Sequence, residues 1–430
     1  MTETKVAQAM RTIADEVAVP SLPADLWRRG RRRHRRRLAT TAAVAAALAV
    51  VSFSLVRGQP HRVAPADSPP RVPSTVYAPL PFQRTVRQDP AGPAALIVTG
   101  EGAFRGSDAF GGYEGRTVVV SRDGRYRLVD GVGEVEAGQD AHLSPDGRYL
   151  AVAGAVDGVE DTSFDATSLV DLTTGQVRVF DGGSPTAWSP DGQHLLLHGD
   201  HALTLVDIRS GANRLLRKLS AQTPADAQVA VSPDGTRLAI QHAAKLDVID
   251  LATGTQAASV NLGPFLQLAG PGAWTPDGRI AIWDPGGSCA ESCDRNLVEA
   301  TFRLAFVDLS SGDAQNGPAV DEVTSRAPRL LGWQPDGSTI VETFRKNLGP
   351  QVVALRPGGG QRLLIDMPSQ AHHVDIAANL LSDGRFGAPP PSLGDRVLDW
   401  LAGLVPRLLQ LCGVIIVVAA IIWYRRRRRA

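Results

Sequence analysis

The chain has 430 residues, of which 43% are hydrophobic, 5% aromatic and 21% charged, and its formal net charge is +1. This composition excludes a wholly disordered or fibrous chain, and three cysteines exclude a disulfide scaffold or a multi-cysteine zinc array. A near-neutral total also gives no reason to expect a nucleic-acid partner.

The N-terminal segment, residues 1–37, is predicted to be a cytoplasmic tail. Its apolar residues between Val6 and Val17 recur at four- and three-residue steps, which predicts a short amphipathic helix. Eight arginines follow between Arg28 and Arg37. Beside an apolar run, such a cluster is typical of a topology and anionic-lipid signal rather than a nucleic-acid patch.

Two apolar runs, residues 38–56 and 406–424, predict transmembrane helices. The first has nineteen uncharged positions, or about 28 Å of helix, and five arginines in the tail 425–430 follow the second. Arginine-rich flanks stay on the cytoplasmic side, so both termini are predicted to be cytoplasmic in the cell membrane. The intervening residues are then extracytoplasmic. Cleavage of the first run as a signal peptide is the alternative.

The charge distribution agrees with this topology. Residues 1–57 carry eleven basic and four acidic residues, and residues 407–430 carry six basic and none acidic. The segment between them therefore holds 28 basic and 40 acidic residues, so the three charges are +7, −12 and +6. The small net charge is therefore the sum of two basic terminal segments and an acidic middle segment.

A four-residue turn signature recurs five times between the two runs. Its aspartates are 45, 43, 43 and 59 residues apart, close to the period of a propeller blade with four short strands. Proline, aspartate and glycine in this order favour a tight turn, so the repeated residues are predicted to be structural rather than catalytic. The turn residues are Asp146, Gly147, Asp191, Gly192, Asp234, Gly235, Asp277, Gly278, Asp336 and Gly337.

Each signature is followed by a strand of alternating pattern, as in YLAVAG from Tyr149 and TIVETF from Thr339. A second phrase then recurs four times, beginning with Leu-Val-Asp-Leu-Thr-Thr-Gly at residues 169–175, and predicts a glycine hairpin that completes the blade. A sixth unit is predicted around the degenerate turn at residues 121–124. The segment 374–387 is predicted to supply a closing strand or a short helix.

These two phrases in fixed order resemble the WD40-like repeat of bacterial TolB-type β-propellers. The resemblance covers residues 93–385 and implies an all-β fold of six, alternatively seven, four-stranded antiparallel blades that acts as a binding platform. Linkers at residues 57–92 and 386–405 join the propeller to the two predicted transmembrane helices. The tail and first span also resemble actinobacterial membrane proteins, including anti-sigma regulators, although a zinc-type His-x₃-Cys-x₂-Cys motif is absent.

Few residues are candidates for a chemical site. The segment with Asp157, Glu160, Asp161 and Asp165 is acidic enough to be a candidate calcium loop, with a solvated charged loop as the alternative. Cys289 and Cys293 are predicted to form a local disulfide in an oxidising compartment. The pair His372–His373 is interpreted as part of a solvated loop. No hydrolase elbow, zinc-protease or phosphate-loop motif occurs, and no cofactor is expected.

The sequence therefore predicts a non-enzymatic, membrane-anchored extracytoplasmic propeller that binds a protein, peptide or glycan. One alternative is a transmembrane or anti-sigma-like regulator, in which ligand binding alters what residues 1–37 hold in the cytoplasm. A second is an enzyme on the propeller face, a lyase or glycosidase, which requires titratable residues around one mouth of the channel.

Overall fold

The computed structural model describes residues 69–80, 83–100, 117–129, 137–154, 166–199, 202–218, 228–263, 265–286, 299–345 and 349–401, with five residues near the C-terminus. The chain divides into two units. Residues 63–404 form the propeller unit, and residues 1–62 and 405–430 form the terminal unit. In the terminal unit the described residues are all helical: Gly413, Val418, Ile421, Ile422 and Arg425.

The propeller unit consists mainly of short strands. The first eight are β1 (Val72–Pro73), β2 (Ala94–Gly100), β3 (Val118–Ser121), β4 (Tyr126–Leu128), β5 (Ala141–Leu143), β6 (Tyr149–Ala153), β7 (Ala166–Asp171) and β8 (Val177–Asp181). The next eight are β9 (Ser184–Trp188), β10 (His194–Gly199), β11 (Ala202–Asp207), β12 (Asn213–Lys218), β13 (Gln228–Val231), β14 (Arg237–His242), β15 (Lys245–Asp250) and β16 (Gln256–Asn261). The last eleven are β17 (Gln267–Leu268), β18 (Ile280–Asp284), β19 (Ala300–Val307), β20 (Ala314–Asn316), β21 (Val323–Ser325), β22 (Arg329–Trp333), β23 (Thr339–Phe344), β24 (Pro350–Leu355), β25 (Gln361–Asp366), β26 (Ala371–Ile376) and β27 (Phe386–Ala388).

Within the described residues these strands pair into six antiparallel sheets, the blades of a propeller around a central channel. From the innermost strand outwards, blades 1 to 6 are β26-β2-β3-β4, β5-β6-β7-β8, β9-β10-β11-β12, β13-β14-β15-β16, β17-β18-β19-β20 and β22-β23-β24-β25. Blade 5 has an additional strand, because β21 also pairs with β19. The prediction of six four-stranded blades is confirmed.

Burial decreases from the second strand of a blade to its outermost strand. In β2, the side chains of Leu96, Ile97 and Val98 are fully buried, because both faces of this strand pack against protein. In the outermost strand β12, Leu216 is buried but Leu215 is exposed. Second strands therefore read as nearly continuous apolar runs, and outermost strands read as mostly polar.

The ring is closed by the C-terminal strand β26, which becomes the innermost strand of blade 1. It pairs antiparallel with β2, placing Ile376 opposite Leu96 and Val374 opposite Val98. A short helix, α1 (Ala378–Ser382), follows at once and packs against β22. The segment 374–387 thus supplies both a strand end and a helix.

The sixth unit predicted around residues 121–124 is blade 1, in which this degenerate turn joins the third and fourth strands. Blade 1 has no turn between its first two strands because its first strand comes from the other end of the propeller. His372 and His373 lie in β26 rather than in a solvated loop.

Three tryptophans, each directly before a signature turn, join consecutive blades. The indole Nε1 of Trp188 donates to the carbonyl of His142 at 3.1 Å, and that of Trp274 donates to the carbonyl of Ala230 at 3.0 Å. Trp333 makes the same bond to Gly272 at 2.8 Å. Each indole ring thus lies between two blades, because its Nε1 donates to a backbone carbonyl of the preceding blade.

The segment before β2 runs along the outer edges of blades 6 and 1. Val76 donates its amide to Asp366 of β25 at 2.9 Å, and Val86 donates to Leu128 of β4 at 2.9 Å. Strand β1 also pairs in parallel with β27, with Val72 opposite Phe386. The segments that enter and leave the propeller therefore lie side by side.

Residues 393–401 form a helix, α2, within the predicted second linker. Among the residues that the structure describes, no helix combines the length and the apolar character needed to cross a membrane. The predicted span 38–56 lies outside the described residues, as does most of the predicted span 406–424.

Candidate functional site at the connection face

The antiparallel strand order gives the propeller two different faces. The face here called the turn face holds the turns between first and second strands and between third and fourth strands. The opposite face, here called the connection face, holds the connections between second and third strands and those between blades. The distinction matters because all the predicted repeat turns lie on one face.

The five signature turns lie on the turn face, and in each the glycine amide donates to the carbonyl three residues earlier, as Gly147 does to Ser144 at 2.8 Å. In the first, the Ser144 hydroxyl donates to Asp146 at 2.7 Å, and the amide of Arg148 donates to the same carboxylate at 3.0 Å. Gly147 adopts a φ of +71°, in the region that favours glycine. The remaining four glycines, at positions 192, 235, 278 and 337, also have positive φ.

These hydrogen bonds favour the ionised aspartates. Hydrogen bonds from the Ser232 hydroxyl, and from the amide and hydroxyl of Thr236, lower the pKa of Asp234 to about 2. The pKa of Asp191, of Asp277 and of Asp336 is also lowered by hydrogen bonds from neighbouring hydroxyls or amides. The carboxylates thus act as acceptors inside their own turns.

Two predicted sites cannot be placed. The acidic segment with Asp157, Glu160, Asp161 and Asp165 lies outside the described residues, and so do Cys289 and Cys293. By chain connectivity, the acidic segment joins β6 to β7 and the cysteine segment joins β18 to β19. Both connections are of the second-to-third-strand kind. The calcium and disulfide predictions therefore stay predictions.

Connections of this kind differ greatly in length from blade to blade. Residues 101–117 join the strands in blade 1 and residues 285–299 join them in blade 5, whereas Ala243 and Ala244 alone do so in blade 4. On the turn face, the same five-residue turn recurs at 144–148, 189–193, 232–236 and 334–338. The turn face thus keeps one turn length in four blades, whereas the lengths of the connections on the other face vary widely.

A buried ion pair lies where the innermost strands begin, at the connection-face end of the channel. Arg329, the first residue of β22, donates to Glu342 of β23 at 2.7 Å, and the Glu342 side chain is fully buried. Glu342 also accepts the amide of Val374 at 2.8 Å, and Nδ1 of His373 is 3.7 Å from its carboxylate. This pair connects blade 6 to the closing strand.

Arg329 extends the connection to blade 2. Its guanidinium donates to the carbonyls of Ala137 and Gly138, both at 3.2 Å, just before β5 begins. One arginine thus contacts segments that are more than 190 residues apart in sequence. The bonds hold blade 6, the closing strand of blade 1 and the start of blade 2 together.

A second pair of titratable side chains, the buried His142 and the half-buried Asp375, lies on the adjacent innermost strands β5 and β26. Asp375 accepts the amides of Leu143 at 2.8 Å and Ile376 at 3.0 Å, and burial raises its pKa. Burial lowers the pKa of His142, whose Nε2 lies 2.8 Å from the carbonyl of Gln139. A neutral imidazole with its proton on Nε2 donates this bond.

The carboxylates share a structural task. An innermost strand pairs with its own blade along one edge only, so amides on its other edge need acceptors. Glu342 accepts such an amide from β26, and Asp375 accepts one from β5. In blade 4, the Gln241 side chain does the same for Leu268 of β17.

Sequence reasoning missed these residues because none of them belongs to a repeated phrase. The available signal was a charge at a position where the pattern expects an apolar residue. Glu342 lies inside the second strand TIVETF of blade 6. At the corresponding position, opposite the first residue of the innermost strand, the second strands β14 and β10 have Gln241 and His198. Polar residues inside otherwise buried second strands indicated the channel mouth.

No protein-family model and no curated protein matches the sequence. Among solved structures, the chain is similar to a putative TolB from Agrobacterium tumefaciens, with 15% identity, 66% of this chain and 98% of that chain covered, and a TM-score of 0.36. It is also similar to TolB from Acinetobacter baumannii, with 12% identity, coverage of 63% and 69%, and a TM-score of 0.34. An oligogalacturonate lyase in complex with manganese has 16% identity, coverage of 64% and 75%, and a TM-score of 0.35. At these scores none of the three supports a function, and the fold assignment depends on the strand pairing described above.

Proposed function

We propose that the protein is a membrane-anchored, extracytoplasmic propeller that binds a protein, peptide or glycan without catalysing a reaction. The observation that carries this proposal is the asymmetry between the two faces. The turn face repeats one short turn, whereas connections on the other face run from two residues in blade 4 to seventeen in blade 1. A surface whose connections vary this much around the ring is suited to recognising one ligand.

The membrane anchorage is supported by the arrangement of the chain ends in the propeller unit. The parallel pairing of Val72 with Phe386 brings together the segments that lead to the two apolar runs. Two spans can therefore enter one patch of membrane without a long detour of either linker. Three apolar residues of the second run are described by the structure. They are helical and about half exposed: Val418, Ile421 and Ile422.

Binding accounts for the channel-mouth residues better than catalysis does. The enzyme alternative requires titratable groups around one mouth, and Arg329, Glu342, His373, His142 and Asp375 are such groups. However, both carboxylates are engaged by backbone amides that hold innermost strands in the ring. Taking a proton from a substrate would weaken these structural bonds, because a neutral carboxyl group is a poorer acceptor than a carboxylate.

Site-specific photo-crosslinking in intact cells tests the proposal. A photoreactive residue replaces Ala243 or Arg345 on the connection face and, as matched exposed controls, Ser210 or Thr253 on the turn face. We expect adducts from the connection-face positions and none from the controls. Equal adducts from both faces, or from the turn face alone, would exclude the connection face as the binding surface.

Protease added to whole cells tests the topology separately. We expect residues 58–406 to be degraded, while tags at the two termini remain protected by the membrane. Survival of the propeller together with both tags would contradict an extracytoplasmic location, whatever the crosslinking shows.

A second candidate function, transmembrane signalling, is favoured by one contact. Arg127 of blade 1 bonds to Asp399 of α2, and α2 immediately precedes the second apolar run. Through this ion pair, a change in blade 1 on ligand binding could alter the position of α2, the helix that comes before the second apolar run. The test measures how much of a cytoplasmic regulator residues 1–37 bind with and without ligand on the propeller. A difference between the two amounts would support signalling, and equal amounts would argue against it.

A further inference from the structure

Helix α2, residues 393–401, has an exposed apolar side. Leu393 is 70% exposed, Val397 36%, Leu398 51% and Leu401 43%. At 3.6 residues per turn, all four side chains fall on one side of the helix. Elsewhere in the described propeller, large exposed apolar residues stand singly, as Leu215 and Leu363 do on two different strands. Four within nine residues form a patch.

An ion pair between a buried arginine and a half-buried aspartate fixes the opposite side of α2 to blade 1. The Arg127 guanidinium is only 1% exposed and donates two bonds to Asp399, at 2.6 and 3.1 Å. It also donates to the Asp89 carboxylate at 2.6 Å, and Gln83 donates to Asp399 at 3.0 Å. A bidentate arginine pair of this kind defines the angle at which the helix is held.

A second contact one turn earlier prevents rotation. The Arg396 guanidinium lies 4.4 Å from the centre of the Tyr77 ring and donates to the carbonyl of Ala78 at 2.9 Å. At the start of the helix, Ser392 accepts the amide of Asp395 at 3.1 Å, as an N-cap does. With positions 396 and 399 docked, the apolar side is directed away from the propeller.

The sequence limits what can cover this patch. Pro406, where the second apolar run begins, is five positions after Leu401 along the chain, so the two residues are at most about 18 Å apart. If that run crosses a membrane, the patch lies next to the point of entry. A helix with one apolar and one polar side at this position is suited to the headgroup–acyl boundary, into which such helices sink about 5–10 Å.

We propose that the apolar side of α2 lies in the outer leaflet of the bilayer and that the Arg127–Asp399 pair thereby seats the outer edge of blade 1 on the membrane surface. This inference rests on the proposed membrane anchorage. The inference goes beyond anchorage in two ways. Lipid is the partner of this surface, and the propeller has a fixed orientation relative to the membrane surface.

Fluorescence quenching in liposomes tests the inference on the full chain. An environment-sensitive fluorescent residue replaces Leu398 and, as a control of similar exposure on a different blade, Leu215, which is 54% exposed. Lipids brominated in their acyl chains act as the quencher. We expect quenching at position 398 to be at least about threefold stronger than at 215, because only the former is inserted.

The possible outcomes separate the inference from the anchorage. If the chain floats with the liposomes but position 398 is quenched no more than position 215, anchorage stands and the seating of α2 is wrong. If position 398 is shielded from lipid and its emission depends on the protein-to-lipid ratio, a second copy covers the patch and the inference is also wrong. If the chain does not float, both the anchorage and the inference fail.

Discussion

The two faces of the propeller are made from the same strands but obey different rules. On the turn face, Ser144 and Ser232 each close a five-residue turn with the same bond, to Tyr149 at 2.8 Å and to Arg237 at 2.9 Å. On the connection face, the contacts around Arg329 and Glu342 occur once. The comparison indicates that repetition builds the blades, whereas unrepeated residues close the ring and distinguish one blade from another.

The largest expected effect lies on the connection face. Arg329→Met leaves the fully buried Glu342 without its cation, and breaking such a pair costs about 3–5 kcal/mol of unfolding free energy. The matched control, Arg303→Met, removes an exposed pair with Asp284 at 3.2 Å on the same face and costs less than about 1 kcal/mol. Urea unfolding of the full chain in nanodiscs measures both.

Equal unfolding curves for the two arginine variants would mean that the buried pair does not hold the ring closed. Glu342→Gln adds a finer test, because an amide oxygen still accepts the amide of Val374. We expect it to be less damaging than Arg329→Met.

A smaller effect is expected on the turn face, where one repeated position has two different surroundings. A Cβ at Gly147 would lie 2.0 Å from the carbonyl oxygen of Ala94 in blade 1, whereas a Cβ at Gly278 would meet nothing within 4 Å. Both have positive φ. We expect Gly147→Ala to cost about 2–4 kcal/mol and Gly278→Ala about 1–2 kcal/mol, measured by the same unfolding assay. If the two glycine variants were equally stable, contact between blades would not tighten this turn.

The smallest effect concerns acid stability. The pKa of Asp234 is about 2 in the folded protein, so its hydrogen bonds stabilise the fold above the ordinary value of 3.8. That contribution decreases as the pH falls from about 4 towards 2, because protonation removes the charged acceptor. We expect Asp234→Asn to flatten this part of the profile of melting temperature against pH. An unchanged acid slope would show that the turn carboxylate is not linked to folding.

The sequence predicted the local parts of the fold in detail, but of the long-range pairing it predicted only that the segment 374–387 supplies a closing strand or a short helix. Turns are determined by proline, aspartate and glycine within four residues, and strands begin where expected, at Tyr149 and Thr339. The pairing of β26 with β2 joins residues about 280 apart, and no turn signature follows β26. Periodicity reports which face of a strand is buried but not which strand lies beside it.

The candidate site was less predictable than the fold for the same reason. Glu342 is recognisable in sequence only as a charge inside an apolar strand, and its partners Arg329 and Val374 come from other strands. Helix α2 had a local signal that was overlooked, since Ser392 and Asp395 have the spacing of an N-cap motif and Leu393, Val397 and Leu401 recur every four residues.

The strand exchange that closes the ring also sets the order in which the propeller is completed. Strands β2 to β4 of blade 1 are synthesised first, but its innermost strand β26 is among the last. One edge of the apolar strand β2 therefore stays unpaired while five further blades are made. An exposed edge of this composition is prone to wrong pairing with other chains. For a protein threaded outwards from its N-terminus, the hazardous interval ends only when residues 371–376 have emerged. The second predicted anchor begins about thirty residues later, so the ring is able to close before that segment is made.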